Sequence, residues 1–193
     1  MTDQNNKKIP IKGYASFHPL KHCMVGSGFH IEWFKEFFSD KKILDPLQRI
    51  AEETEEDFLE LSSILTKAGV EVHRPKLEIE KYNSLHDIYR PPMTPRDHFG
   101  VIGEKFYAVQ YAQGYSNVLK KIKKDQLFIK PKDTAYTGTI DTASILRAGK
   151  DLYWGHDPKH GDPTEYVDMF EQEGFRVHLL EREYHSDAVI SLI

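Results

Sequence analysis

Apolar positions along this chain fall in short alternating runs, interrupted by one long stretch of helical spacing, which is the pattern of a mixed α/β protein. Residues 1 to about 13 are polar and read as a flexible tail. Lys21-His-Cys-Met-Val25, closed by Gly26-Ser-Gly28, predicts a first strand. Asp45 and Pro46 pair an N-cap with a first helical residue, and Leu47, Ile50, Ala51, Phe58, Leu61 and Leu65 share one helical face. A helix is expected over about 46–67. Gly69 suits its left-handed cap, and Val70-Glu-Val72 follows as a strand that Pro75 ends.

The second half repeats this grammar. Beyond an irregular, proline-bearing stretch from 76 to 95, Gly103-Glu-Lys105 separates Val101-Ile102 from Phe106–Val109 and predicts a hairpin. A helix around 114–123 and a strand Leu127–Ile129 complete the unit. Ile140 to Leu146, a turn at Gly149-Lys150 and a strand Asp151–Trp154 give the hairpin pattern again, and Pro163 opens a helix that ends at Gly174. Gly69-Val-Glu-Val-His73 and Gly174-Phe-Arg-Val-His178 place a histidine at the same distance from a helix-ending glycine. These recurrences predict about three stacked ββαβ modules around a common centre. Ala188-Val-Ile-Ser-Leu-Ile193 reads as an apolar edge strand, from which truncation or a covering partner is expected.

Composition narrows the function. The chain has 193 residues, 39% apolar and 29% charged, enough for one folded domain over 14–193. No leader-like apolar segment and no bilayer-length apolar run are present, so a cytoplasmic protein without membrane contact is expected. The net charge is -4 with the 26 basic residues scattered, which argues against nucleic acid and for a small polar ligand. A single cysteine, Cys23, excludes an internal disulfide and a multi-thiolate zinc site. Its apolar strand makes it a buried hydrophobe rather than a nucleophile.

Four residues stand at or beside predicted strand ends: Asp97, Asp141, His185 and Asp187. Paired carboxylates hold a planar guanidinium through charge-assisted hydrogen bonds, and a neighbouring histidine moves protons near neutral pH. On composition and spacing alone, capping or solvated roles are the stronger explanation, with the histidine on the surface. His156 and His160 lie four apart, but Gly155, Pro158, Gly161 and Pro163 make that segment a loop, so no metal site is expected. Lys120-Lys121 and Lys123-Lys124 suit a helix C-terminus, and the acidic run Glu52 to Asp57 suits a solvated face.

Three blocks resemble the arginine:glycine amidinotransferase family of the guanidine-modifying pentein superfamily. Ser16-Phe-His-Pro-Leu-Lys-His-Cys-Met-Val-Gly26 is similar to its opening strand, and Met93-Thr-Pro-Arg-Asp97 with Val101-Ile-Gly103 to its Met-Pro-Arg-Asp segment. Ile140-Asp-Thr-Ala-Ser-Ile-Leu-Arg-Ala-Gly-Lys-Asp-Leu152 resembles its Phe-Asp-Ala-Ala-Asp block. Gly174–Leu180 and Tyr184-His-Ser-Asp-Ala-Val189 follow in the family's order, so the likeness runs through residues 14–193 and about the first two thirds of a member.

The resemblance implies an incomplete five-bladed α/β-propeller (pentein-like), lacking its C-terminal part. It also implies transfer of an amidino group from arginine to glycine or another amine through a cysteine-bound intermediate, without a cofactor. It makes Asp141 and His185 catalytic and Asp97 and Asp187 substrate-binding. The family's nucleophilic cysteine lies near the C-terminal end, beyond the matched blocks, so this chain is expected to be inactive alone. A homo-oligomer or a complementing C-terminal chain is the expected partner. Two alternatives stand beside this: a deiminase or dihydrolase of the same superfamily, and a non-catalytic guanidino-binding or partner-dependent scaffold.

Overall fold

The computed structural model describes residues 8–15, 18–76, 93–108, 115–129, 142–158 and 162–181. Its elements, in chain order, begin with β1 (His22–Met24), α1 (Ile31–Lys35), α2 (Lys41–Lys67) and β2 (Glu71–His73). There follow α3 (Pro95–His98), β3 (Phe99–Ile102), β4 (Lys105–Ala108), α4 (Ser116–Leu119) and β5 (Leu127–Ile129). The last are β6 (Ile145–Ala148), β7 (Asp151–His156), α5 (Thr164–Gln172) and β8 (Arg176–Glu181). Short 3-10 turns occupy Lys124–Gln126 and Thr142–Ser144. Among the described residues no helix is long and apolar enough to cross a membrane.

The expected mixed α/β class is what forms. Described strands make three small sheets: β1-β2, β3-β4-β5 and β6-β7-β8. In both three-stranded sheets the first pair is an antiparallel hairpin and the third strand joins the second in parallel. That is the ββαβ order, because a parallel neighbour can be reached only by a crossover. Gly103 and Gly149 turn the two hairpins with φ of 59° and 68°, a conformation open to glycine because it lacks a Cβ. Gly69 and Gly174, at φ 83° and 82°, end α2 and α5 and release the chain into β2 and β8.

Two compact units divide the chain. One comprises Met1–Ile9, Leu20–Pro95 and Ala112–Ile122, and the other Pro10–Pro19, Arg96–Tyr111 and Lys123–Ile193. In the second, Ile102, Tyr107, Ile145, Leu152, Trp154 and Phe170 are buried together between the two three-stranded sheets and α5. Each fully buried side chain of this size contributes about 1.5–3 kcal/mol. In the first unit, Trp33 is buried against Phe29, Phe34 and Phe37.

Two boundaries differ from the sequence reading. α2 begins at Lys41, not Pro46, because Asp40 caps it by accepting from the Lys42 amide at 2.9 Å, leaving Pro46 inside the helix. The segment read as a loose tail is seated where it is described. Ile9 and Ile11 are buried, and Gly13 exchanges backbone hydrogen bonds with Gly103 at 2.7 and 3.0 Å. The terminal strand expected at Ala188–Ile193 lies outside the described residues.

Candidate functional site

Of the four residues expected to form the site, the structure describes Asp97; Asp141, His185 and Asp187 lie outside the described residues. Asp97 sits in α3, the single turn that leads directly into β3. Its Oδ1 is buried, lies 3.4 Å from the Arg96 guanidinium nitrogen Nε, and accepts no hydrogen bond among the described residues. The Arg96 guanidinium balances the charge of this oxygen, and the carboxylate as a whole is 39% exposed, which leaves it open to a further donor.

The segment that follows Asp141 is tied to the Asp97 turn. The Thr142 hydroxyl donates to the Arg96 carbonyl at 2.9 Å. Gly100, early in β3, lets the backbone pass Thr142 so closely that a Cβ would stand 2.5 Å from the threonine methyl. Arg147 on β6 donates to the Val101 carbonyl on β3. Burial pushes the Arg147 pKa down, yet arginine keeps its proton in proteins. Its role is to brace the hairpins.

Cys23 lies on β1, half-buried, and desolvation raises its thiol pKa. A nucleophilic cysteine needs the opposite shift, toward thiolate.

Ligand-type side chains also gather elsewhere. His156 ends β7, and His160 lies outside the described residues. On the first sheet, by contrast, the parallel register sets His22 opposite Glu71 and Met24 opposite His73, which puts His22, Glu71 and His73 on one face. His22 Nδ1 lies 3.1 Å from His73 Nε2. The Glu71 carboxylate stands 3.8 Å from the first nitrogen and 3.9 Å from the second. Burial lowers the His73 pKa, opposed by Glu71 and reinforced by His22 and Lys121. The alternation of His22 with Met24 and of Glu71 with His73 was the available signal; the pairing across 51 residues was not.

No protein-family model matches the sequence, and none of the curated proteins matches it. Solved structures do. The inosamine-phosphate amidinotransferase StrB1 of Streptomyces griseus superposes with a TM-score of 0.64 at 17% identity, over 91% of this chain and 64% of its own. The fold is amidinotransferase-like. SxtG, an amidinotransferase from Microseira wollei in the saxitoxin biosynthetic pathway, gives 0.62 at 17% identity, over 92% of this chain and 64% of its own. A dimethylarginine dimethylaminohydrolase gives 0.56 at 11% identity, over 87% of this chain and 63% of its own. The chain thus spans less than two thirds of the length of each of these three structures.

Proposed function

We propose that this chain carries the guanidinium-holding part of an amidino-group-transferring enzyme built as an α/β-propeller. The observation that carries this reading is the shared backbone: nine tenths of the chain superposes on two amidinotransferases. The buried, acceptor-ready oxygen of Asp97 supports it, since a guanidinium brings several N–H donors and a positive charge to such an atom. In this reading Asp141 and Asp187 clamp the guanidinium, Asp141 also orients the catalytic machinery, Asp97 contacts the substrate, and His185 gives a proton to the departing amine and takes one from the incoming amine. The thiolate that attacks the guanidinium carbon comes from outside residues 1–193, because Cys23 is shifted away from the thiolate form. Arginine is the donor and glycine or another amine the acceptor. Water as acceptor, as the hydrolase neighbour makes reasonable, gives a deiminase or dihydrolase from the same half-site.

The test is calorimetric titration of the folded chain with L-arginine and with L-citrulline, its uncharged counterpart. Arginine is expected to bind and citrulline to bind far more weakly, with Asp97→Asn weakening arginine about 10–100-fold, the worth of a charged hydrogen bond. Ornithine release from arginine and glycine is expected only when a C-terminal fragment of a full-length relative is added. Turnover by the chain alone that disappears in Cys23→Ser would overturn the external thiolate. Absence of arginine binding in a chain with native circular dichroism would leave the scaffold reading.

A further inference from the structure

We propose that His22, Glu71 and His73 form a binding site for a divalent transition metal of the zinc class, linking β1 to β2. Three ring and carboxylate donors, one from each residue, all lie within 4.8 Å of one another. Tetrahedral zinc with Zn–N of about 2.0–2.1 Å and Zn–O of about 2.0–2.2 Å holds its ligand atoms about 3.3–3.5 Å apart. The two ring nitrogens are 3.1 Å apart, and Glu71 approaches them with different oxygens, Oε2 at 3.8 Å from His22 and Oε1 at 3.9 Å from His73, so a turn of the carboxylate brings one oxygen to that edge length. Two imidazoles and one carboxylate are a donor set that zinc accepts with a fourth position left for water or another ligand.

The arrangement is built rather than incidental. The His73 side chain is 5% exposed, His22 23% and Glu71 48%, so the site has a buried floor and an open side through which an ion enters. The two rings are near parallel, at 9° with centroids 5.4 Å apart, and meet nitrogen to nitrogen. In the metal-free form one ring N–H bridges the two nitrogens, while Glu71 stands beyond hydrogen-bond distance from both. A cation replaces that single proton: the rings tilt toward Glu71, both nitrogens present lone pairs, and the carboxylate balances the charge. The ring that carried that proton takes one up on its other nitrogen through solvent, so a neutral pair changes tautomer and releases no net proton.

β7 and β8 show what the same positions do when the sequence supplies its own cation. There Asp151 faces Arg176 and lies diagonal to His178, in the register that relates His22 to Glu71 and His73. Arg176 pairs with Asp151 and His178 Nε2 lies 2.9 Å from it. At the corresponding positions β1 and β2 carry two imidazoles and one carboxylate, the donor types that zinc accepts.

The experiment uses the full, tag-free chain, stripped with EDTA and dialysed, then titrated with zinc chloride against a chromophoric zinc indicator, with bound metal counted by elemental analysis. One zinc per chain is expected, with a melting temperature raised by about 5 °C or more at zinc well above Kd. His22→Gln and Glu71→Gln, both at partly exposed positions, each weaken zinc at least about tenfold, since even losing a residue that only hydrogen-bonds to a ligand costs about 10–100-fold. His156→Gln and His178→Gln leave affinity and stoichiometry unchanged. Absence of zinc binding to the folded chain, or binding that survives His22→Gln and falls with either control, would overturn the site.

Discussion

The strand pairs β1-β2 and β7-β8 are the same piece of backbone carrying different side chains. Both are parallel, both are entered by a helix ending on a left-handed glycine, and in both the third residue of the last strand is a histidine. At β7-β8 the histidine side chain is 44% exposed, lies over the Tyr153 ring with centroids 4.8 Å apart, and shares the Asp151 carboxylate with Arg176. At β1-β2 it is 5% exposed and faces a second imidazole. Backbone register thus fixes which three side chains meet, whereas burial and residue type decide what they can hold. An ion-pair trio open to solvent on one side contributes modestly to stability and holds only its own charges. A half-sealed pair of imidazoles beside a carboxylate is chemistry kept in reserve.

The comparison can be pressed from several sides. The largest effect is expected from Phe170→Ala, which empties the fully buried ring beneath β7 and costs about 3–5 kcal/mol in denaturant unfolding. If the β7-β8 trio depends on that support, amide-exchange protection of Asp151–His156 and Arg176–Glu181 falls with it. His73→Ala in the metal-free chain comes next, at about 1–3 kcal/mol, because a buried ring and its hydrogen bond to His22 are lost together. A loss as small as that of an exposed histidine would mean that the pair contributes nothing to the fold.

Acid should separate the two trios in pH. Burial depresses the His73 pKa, so the neutral ring is favoured in the fold. That contribution is complete above the unfolded value of about 6.5 and is lost as pH falls through it toward the lower folded value. Asp151 is held well below the usual carboxylate range by hydrogen bonds from Arg176 and His178, so its contribution is present above about pH 4 and disappears only in stronger acid. Stability followed against pH, with chelator present, should show the upper step vanish in His73→Gln and the lower one in Asp151→Asn. Glu55 loses its charge in acid as well: burial raises its carboxyl, but the Arg74 hydrogen bonds, the Gly28 amide and the neighbouring positive charges together outweigh this and lower it. The Asp151→Asn comparison therefore isolates the share that belongs to β7-β8. The smallest effect is His178→Ala, expected within about 0.5 kcal/mol of the parent, as for surface changes in general.

Much of the local architecture was legible in the residues. Gly103 and Gly149 announced both hairpin turns, Gly69 and Gly174 both helix ends, and Leu127–Ile129 is the strand it was expected to be, because each signal acts within a few residues. The start of α2 misled because Asp45-Pro46 imitates a cap, while the operative cap is Asp40 and the helix accommodates the proline after its first turn. Ile9 and Ile11 were overlooked inside a stretch judged by its polar neighbours. Asp97 could be read as a candidate from its place before a hairpin. The imidazole pair could not, because His22 and His73 meet only through the register of strands separated by the whole of α2.

The Arg147 bond to Val101 has a mechanical consequence. It runs from β6 to β3, joining the edge strand of one three-stranded sheet to the edge strand of the other, while Thr142 fastens the approach to β6 onto the Arg96 carbonyl. Two sheets riveted in this way share an applied load. Stretched between Tyr14 and Glu181 in a force-spectroscopy experiment, they should yield in one rupture, and Arg147→Met should split that rupture into two weaker ones.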